Sequence, residues 1–303
     1  MVARLQQGIV FGWLLLATSW LFGWWSRAPV VAFAGLGALV FAHAAVLAIE
    51  FIASYRVSVG DARRRASAWQ FVRAWAAESC IAPRVFCWAQ PFRSHAVSDQ
   101  TAPSERRGAV LVHGFMCNRG FWNPWLGALR ADGRAFVAVD LEPVLGSIDA
   151  YVQTIDEAIV RVSTATGQAP MLICHSMGGL AARAWLRDFD GARISRIVTI
   201  GTPHAGTWLA RFGRTANGRQ MRPGGDWLQK IEGERASTRE VAFTCWYSNC
   251  DNIVFPVSAA TLPGADNRLA AGRGHVEMAF DPVVQRETLA LLDDSTADSD
   301  TAR

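Results

Sequence analysis

The sequence predicts an α/β fold, a mainly parallel central sheet with helices on both faces, preceded by a hairpin of transmembrane helices. Three observations predict it. From Ala109 onward, short apolar runs alternate with segments of helical periodicity. The runs are apolar at consecutive positions, which suits strands buried on both faces rather than strands with one wet face. Ahead of them lie two long apolar stretches, parted only at Ser26-Arg27-Ala28-Pro29.

Residues 1–56 are read as the membrane anchor. The first stretch, Ile9 to Trp25, has 17 residues, and the second, Val30 to Ala53, has 24, interrupted by His43 and Glu50. A helix needs about 20 residues to cross the hydrocarbon layer. A secretory signal is shorter and closes on a small-residue cleavage motif, whereas here a longer apolar run follows. Trp20, Trp24 and Trp25 gather at the turn end of the first helix, where interfacial aromatics belong. Arg4, Arg56 and the run Arg63-Arg64-Arg65 flank the outer ends, and a single arginine occupies the turn. The positive-inside bias then puts both termini in the cytoplasm, at a bacterial-type inner membrane. One spanning helix beside a half-buried one would set the domain on the periplasmic side instead. Glu50, four residues from the end of its run, is assigned to the interface.

Residues 57–108 form a linker. Trp69, Val72, Trp75 and Ala76 recur at helical spacing and define an amphipathic helix, lying on the membrane or packed on the domain. Residues 94–108 are polar, with Pro103, and are read as an exposed loop.

Residues 109–293 form the catalytic domain. Strands are expected over 109–112, 134–139, 170–174, 194–200 and 241–246. Helices are expected over 149–166, stopped by Gly167, over 179–189 and over 282–292. Residues 206–240 carry no strand signal but hold Trp208, Leu209, Phe212, Met221, Trp227 and Leu228, as a lid or cap over the strand ends would. Residues 294–303 are small and acidic and form a frayed tail.

Composition excludes several classes. The net charge is only +4, and the one cationic run follows an apolar segment. That placement fits anionic lipid headgroups, not nucleic acid. The six cysteines form no CxxC pair and no Cys/His spacing of a zinc site. They are read as free thiols, although an even count would also permit disulfides such as Cys245 to Cys250. No metal or cofactor is expected. Oligomeric state is not legible.

Ligands of parallel sheets sit beyond the carboxyl ends of the strands. The stretch Cys174-His175-Ser176-Met177-Gly178-Gly179 lies there, after a strand and opening a helix. A tight strand-to-helix turn lifts the serine side chain out of the sheet, and small residues two before and two after it let strand and helix approach. Gly178 is one; Cys174 stands where glycine is usual. Ser176 is thus the candidate nucleophile. The Met177 N–H points where an oxyanion forms. The loop after the first strand, His113-Gly114-Phe115, supplies the second donor from the Phe115 backbone, with Gly114 allowing the approach and His113 bracing the loop. His175 is expected to point away from the site and pack. Phe121, Trp122 and Trp125 either form a wall of the pocket or are ordinary packing aromatics.

A serine nucleophile needs a base, and the base an orienting carboxylate. Two histidines follow Ser176. His204 lies just past a strand and lines the mouth or holds its loop. His275, in Gly272-Arg273-Gly274-His275, sits in a glycine-flanked loop that would let a base reach the serine. His275 is therefore the candidate base. Asp251, shortly after the strand over 241–246, is the candidate acid; Asp266 is assigned to a turn.

These motifs, with Gly-Thr-Pro-His-Ala-Gly at 201–206, resemble the lipase and esterase branch of the α/β-hydrolase superfamily. The resemblance spans Ala109 to Leu292 and does not include the anchor. It implies carboxyl-ester cleavage by Ser176, Asp251 and His275, with oxyanion donors at Phe115 and Met177. Some bacterial lipases of this type carry structural calcium; no ligand set here matches one. The expected partners are membrane lipids and an acyl-ester substrate. Alternatives are a thioesterase, amidase or acyltransferase on the same triad, or a non-catalytic membrane scaffold.

Overall fold

The computed structural model describes residues 1–61, 66–235 and 241–294. The Arg63–Arg65 run, the end of the expected lid and nearly all of the expected tail lie outside the described residues.

Helices α1 (Val2–Trp25) and α2 (Pro29–Ser58) form an antiparallel hairpin. Pro29 starts α2, where a missing N–H is harmless. The helices close where Gly35 faces Trp20: a Cβ there would lie 2.0 Å from the indole nitrogen. The outward side chains, Phe11, Trp13, Leu14, Phe33, Phe41 and Val46 among them, are bare. Both helices are long and apolar enough to cross a membrane. The 30 residues of α2 rise about 45 Å, against about 30 Å of hydrocarbon. Its last turns instead pack on the rest of the chain, with Phe51 buried against Ala74 and Cys250.

The linker holds α3 (Ala68–Pro83), opened by a Ser67 capping box, then a π-helical turn over 84–89 and α4 (Gln90–Arg93). Its expected apolar stripe faces the rest of the chain only in part: Trp75 packs with Phe51, Ala74 and Cys250, and its indole N–H donates to the Ala44 carbonyl at 2.8 Å. Trp69 and Val72 are exposed, while Ala74 and Glu78 are buried. The helix docks through Phe71, Ala74, Trp75 and Ile81 together with the buried Glu78, and leaves Trp69 outside.

Among the described residues, six parallel strands make one sheet: β1 (Ala109–Val112), β2 (Phe136–Ala138), β3 (Met171–His175), β4 (Arg196–Ile200), β5 (Phe243–Tyr247) and β6 (Asp266–Leu269), in the order β2-β1-β3-β4-β5-β6. Five lie within or across the expected runs. The sixth was not expected: Asp266, assigned to a turn, pairs with Thr244 at the sheet edge. Side chains alternate across the sheet with period two. Val110, Val112, Leu172 and Cys174 face one apolar layer; Ala109, Leu111, Met171 and Ile173 face the other.

The first layer is closed by α6 (Val152–Thr166) and α7 (Met177–Asp188), and the second by α5 (Asn123–Ala131), α10 (His275–Ala279) and α11 (Pro282–Ala290). Gly167 ends α6 at φ 67°, the left-handed cap its position predicts. The segment expected to be a lid carries α8 (Ala216–Gln220) and α9 (Asp226–Arg235). Leu228 and Ile231 are buried in the first layer. All six cysteines are free, Cys245 and Cys250 included.

Candidate active site

Ser176 sits between β3 and α7 with φ 54° and ψ −128°. A serine gains nothing from that region on its own, so the surroundings must hold it. Its N–H donates to the Ile200 carbonyl at 2.9 Å, and Thr202 Oγ1 donates to its carbonyl at 2.8 Å. Gly178 lies against β1: a Cβ would meet the Val112 oxygen at 2.4 Å and the His113 oxygen at 2.7 Å. Cys174 fits where glycine is usual because its side chain points into the first apolar layer, between neighbours Val112 and Thr199.

The loop after β1 runs close to the serine. A Cβ on Gly114 would stand 2.8 Å from Ser176 Cβ. His113 Nε2 accepts the Leu141 N–H at 3.1 Å, so Nδ1 carries the proton and donates to the Gly114 carbonyl at 2.9 Å. His113 thus braces the loop. The Met177 N–H, at the first position of α7, is among the amides a helix leaves without an intrahelical partner.

His275 and Asp251 meet. Nδ1 of His275 donates to Asp251 Oδ2 at 2.9 Å. The other carboxylate oxygen accepts the N–H groups of Ile253 and Val254, both at 2.8 Å. The His275 backbone N–H donates to Asn252 Oδ1 at 3.1 Å, a second tie between the two loops. Burial disfavours the imidazolium, but the charge and hydrogen bond of Asp251, with the nearby Glu78 and Glu50 carboxylates, outweigh it and hold His275 above its ordinary value. Gly201, at φ 60° past β4, leaves room for the ring: a Cβ there would be 3.1 Å from Cε1 and Nδ1.

The remaining candidates lie apart from this pair or behind it. His175 packs, but toward the site: its ring stacks on Phe121 and lies 4.7 Å from that of His275. Its Nε2–H donates to the His275 carbonyl at 3.3 Å. Burial, then the His275 charge, push its pKa well down and keep it neutral. Phe121 and Trp122 are fully buried, as is Trp125, so they are packing aromatics and not an open wall. His204 Nε2 meets Thr199 Oγ1 at 3.1 Å, and its carbonyl accepts from Arg183 at 3.1 Å, which holds the 201–206 turn. Asp266 pairs with Arg268 at 2.7 Å on the edge strand, not with His275.

Several groups around the pair come from outside the expected catalytic domain. Ser54 of α2 donates to the Asp251 carbonyl at 2.5 Å, and Glu50 accepts from Asn252 Nδ2 at 2.8 Å. Glu78 of α3 accepts the N–H groups of Val276 and Glu277, both at 2.9 Å. Gln6 of α1 donates to the Met116 carbonyl at 3.3 Å, beside Phe115. One signal was present in the sequence: Ala74, Glu78 and Ile81 follow at i, i+4 and i+7, which sets a carboxylate on an otherwise apolar face.

Residues 109–292 match the family model described as the alpha/beta hydrolase family. The chain belongs to that family. Among solved structures, the mature form of Bacillus licheniformis lipase BlEst2 is similar with a TM-score of 0.55 and 16% identity, over 65% of this chain and 96% of that one. Aspergillus fumigatus lipase B is similar with a TM-score of 0.55 and 17% identity, over 66% of this chain and 56% of that one. At such identities the likeness is one of fold. No curated protein sequence matches this chain.

Proposed function

We propose that this protein is a membrane-anchored serine hydrolase that cleaves carboxylic esters through Ser176, Asp251 and His275. One observation carries the reading: the buried 2.9 Å Asp251–His275 hydrogen bond, at the same end of the sheet as the left-handed Ser176 turn. His275 Nε2 takes the serine proton as Oγ attacks the ester carbonyl. The N–H groups of Phe115 and Met177 hold the tetrahedral oxyanion. The alcohol leaves with the proton from His275, and water activated by the same imidazole releases the acid. Asp251 fixes the proton on Nδ1 and balances the imidazolium.

The substrate we assign is an amphiphilic acyl ester. The bare apolar faces of α1 and α2 fit the two spans of an anchor. Gln6 at one outer end of the hairpin touches the loop of the oxyanion donor, and Ser54 at the other touches the acid. Such an arrangement brings the carboxyl end of the sheet close to the bilayer surface. The exposed Trp69, Val72 and Trp88 lie in the same linker and suit the headgroup region. Residues 206–240 act as the lid. Both termini lie in the cytoplasm.

The test is turnover by the full-length protein in detergent, against p-nitrophenyl esters of graded chain length, phospholipids and acyl-thioesters. Ester hydrolysis lost in Ser176→Ala is the expected result. Turnover of thioesters alone would move the assignment to a thioesterase on the same triad.

A further inference from the structure

We propose that Glu78, supplied by the linker helix α3, is a positioning residue that holds His275 in its working place. The proposal rests on the serine-hydrolase reading above.

Glu78 is almost fully buried. Its two carboxylate oxygens each take one backbone N–H, from Val276 and Glu277, immediately after the base. These are first-turn amides of α10, which no intrahelical carbonyl can satisfy. Glycine at 274 also has its reason here. A Cβ at that position would stand 2.5 Å from Glu78 Oε2. The sequence suggests a mobile loop around His275, but the glycine instead admits a carboxylate from another helix.

The grip has further points. Arg73, one turn and a half earlier on α3, donates to the Gly272 carbonyl at 2.7 Å and pairs with Glu277 at 2.8 Å. Glu277 also pairs with Arg273 at 3.2 Å, and Arg273 with Asp281 at 2.5 Å. From α2, Ser54 and Glu50 hold the acid loop. The segment preceding the family fold therefore holds both partners of the Asp251–His275 pair. Without Glu78, two buried amides lose their acceptors, and the base loses the backbone that fixes its ring.

Glu78 also faces the pair electrostatically. The charged and titratable groups around it are Arg73 on its own helix, His275, Glu277 and Arg273 on the base loop, Asp251 on the acid loop and Glu50 on α2. Burial raises its pKa to about 7, against the two amide bonds and His275, which lower it. The Glu78 charge in turn helps to hold the His275 pKa up. As an anion, Glu78 favours the imidazolium that forms when Ser176 attacks.

The experiment compares full-length wild type with Glu78→Gln. Glutamine keeps the size but turns an NH₂ toward one of the two amides and removes the charge. A fluorophosphonate probe reports the labelling rate of Ser176 from pH 5 to 9, ester turnover gives kcat and KM, and thermal melting reports folding. The expected result is a folded E78Q with labelling and kcat down about tenfold or more, KM within about twofold, and an acid limb moved to lower pH. A limb at the wild-type pH with wild-type rates overturns the proposal, because a merely structural residue would leave both in place. If E78Q does not fold, Glu78→Asp decides: it keeps the charge and draws the carboxylate back by one methylene. Labelling slowed several-fold supports positioning, and wild-type labelling overturns it. Wild type that never labels would sink the serine-hydrolase reading itself, an outcome distinct from either variant's result.

Discussion

Asp251 serves His275 with one carboxylate oxygen and its own loop with the other. Oδ2 takes the imidazole Nδ1–H at 2.9 Å, while Oδ1 takes the N–H groups of Ile253 and Val254. The acid is therefore held by its own loop through Oδ1, which leaves Oδ2 for His275.

Asp251→Asn is accordingly expected to lower kcat by about 10³-fold or more, since the amide can present N–H to Nδ1 and favour the wrong tautomer. Asp266→Asn, at the sheet edge beside Arg268, is expected to stay within about threefold. Steady-state ester hydrolysis by the two purified variants checks this. A crippling Asp266→Asn would reassign the acid.

The pH dependence follows from the direction of the His275 shift. Its protonated form is favoured in the folded protein beyond the ordinary imidazole value of 6.5. Only the neutral ring can take the serine proton. The kcat/KM profile should therefore fall, on the acid side, with a limb above 6.5. In Asp251→Asn the largest contribution to the rise is gone while burial remains, so the residual limb should move down. A wild-type limb well below 6.5 contradicts this assignment.

Much of the fold was legible because it is local. The elbow at 174–179 shows in six consecutive residues, and Gly167 marks the end of α6 by its backbone freedom. β6 was not legible. Asp266-Asn267-Arg268-Leu269 is an edge strand of four residues, with no apolar run to announce it. The docking of α3, which the sequence leaves open between membrane and domain, was hidden for a related reason. Trp69 and Val72 carry the apolar signal, but Glu78 and Arg73 find their partners more than 190 residues away in sequence. Spacing along the chain marks Glu78 as a carboxylate on an apolar face but does not name its partners. His175 packs as expected but toward the site, because the segment after β1 brings Phe121, and the base loop brings His275, against its ring.

Gly178→Ala tests the elbow's close packing. The added Cβ would meet the backbone oxygens of Val112, at the end of β1, and of His113, just past it, both closer than 3.0 Å. Backbone cannot yield as a side chain does, so a loss of about 1–3 kcal/mol is expected. Thermal or denaturant unfolding measures it, with Gly127→Ala, open to space in α5, as the control. Equal stability of the two variants would mean that β1 and α7 are further apart than described.

Membrane topology can be read with carboxyl-terminal reporters. Green fluorescent protein glows in the cytoplasm, and alkaline phosphatase works only outside it. Bright fluorescence without phosphatase activity is expected from a hairpin with both ends inside. The reverse pattern leaves a single crossing. High-pH carbonate should fail to release the protein from membranes, and release would mean that neither helix spans.

The most direct measurement is the site of covalent capture. Full-length protein treated with a fluorophosphonate should gain one adduct by intact mass, and peptide mapping should place it on Ser176. Ser176→Ala should gain none, and its ester hydrolysis should fall by orders of magnitude, because members of a triad act as a unit. An adduct on another residue, or labelling that survives Ser176→Ala unchanged, would contradict the nucleophile on which the proposed reaction rests.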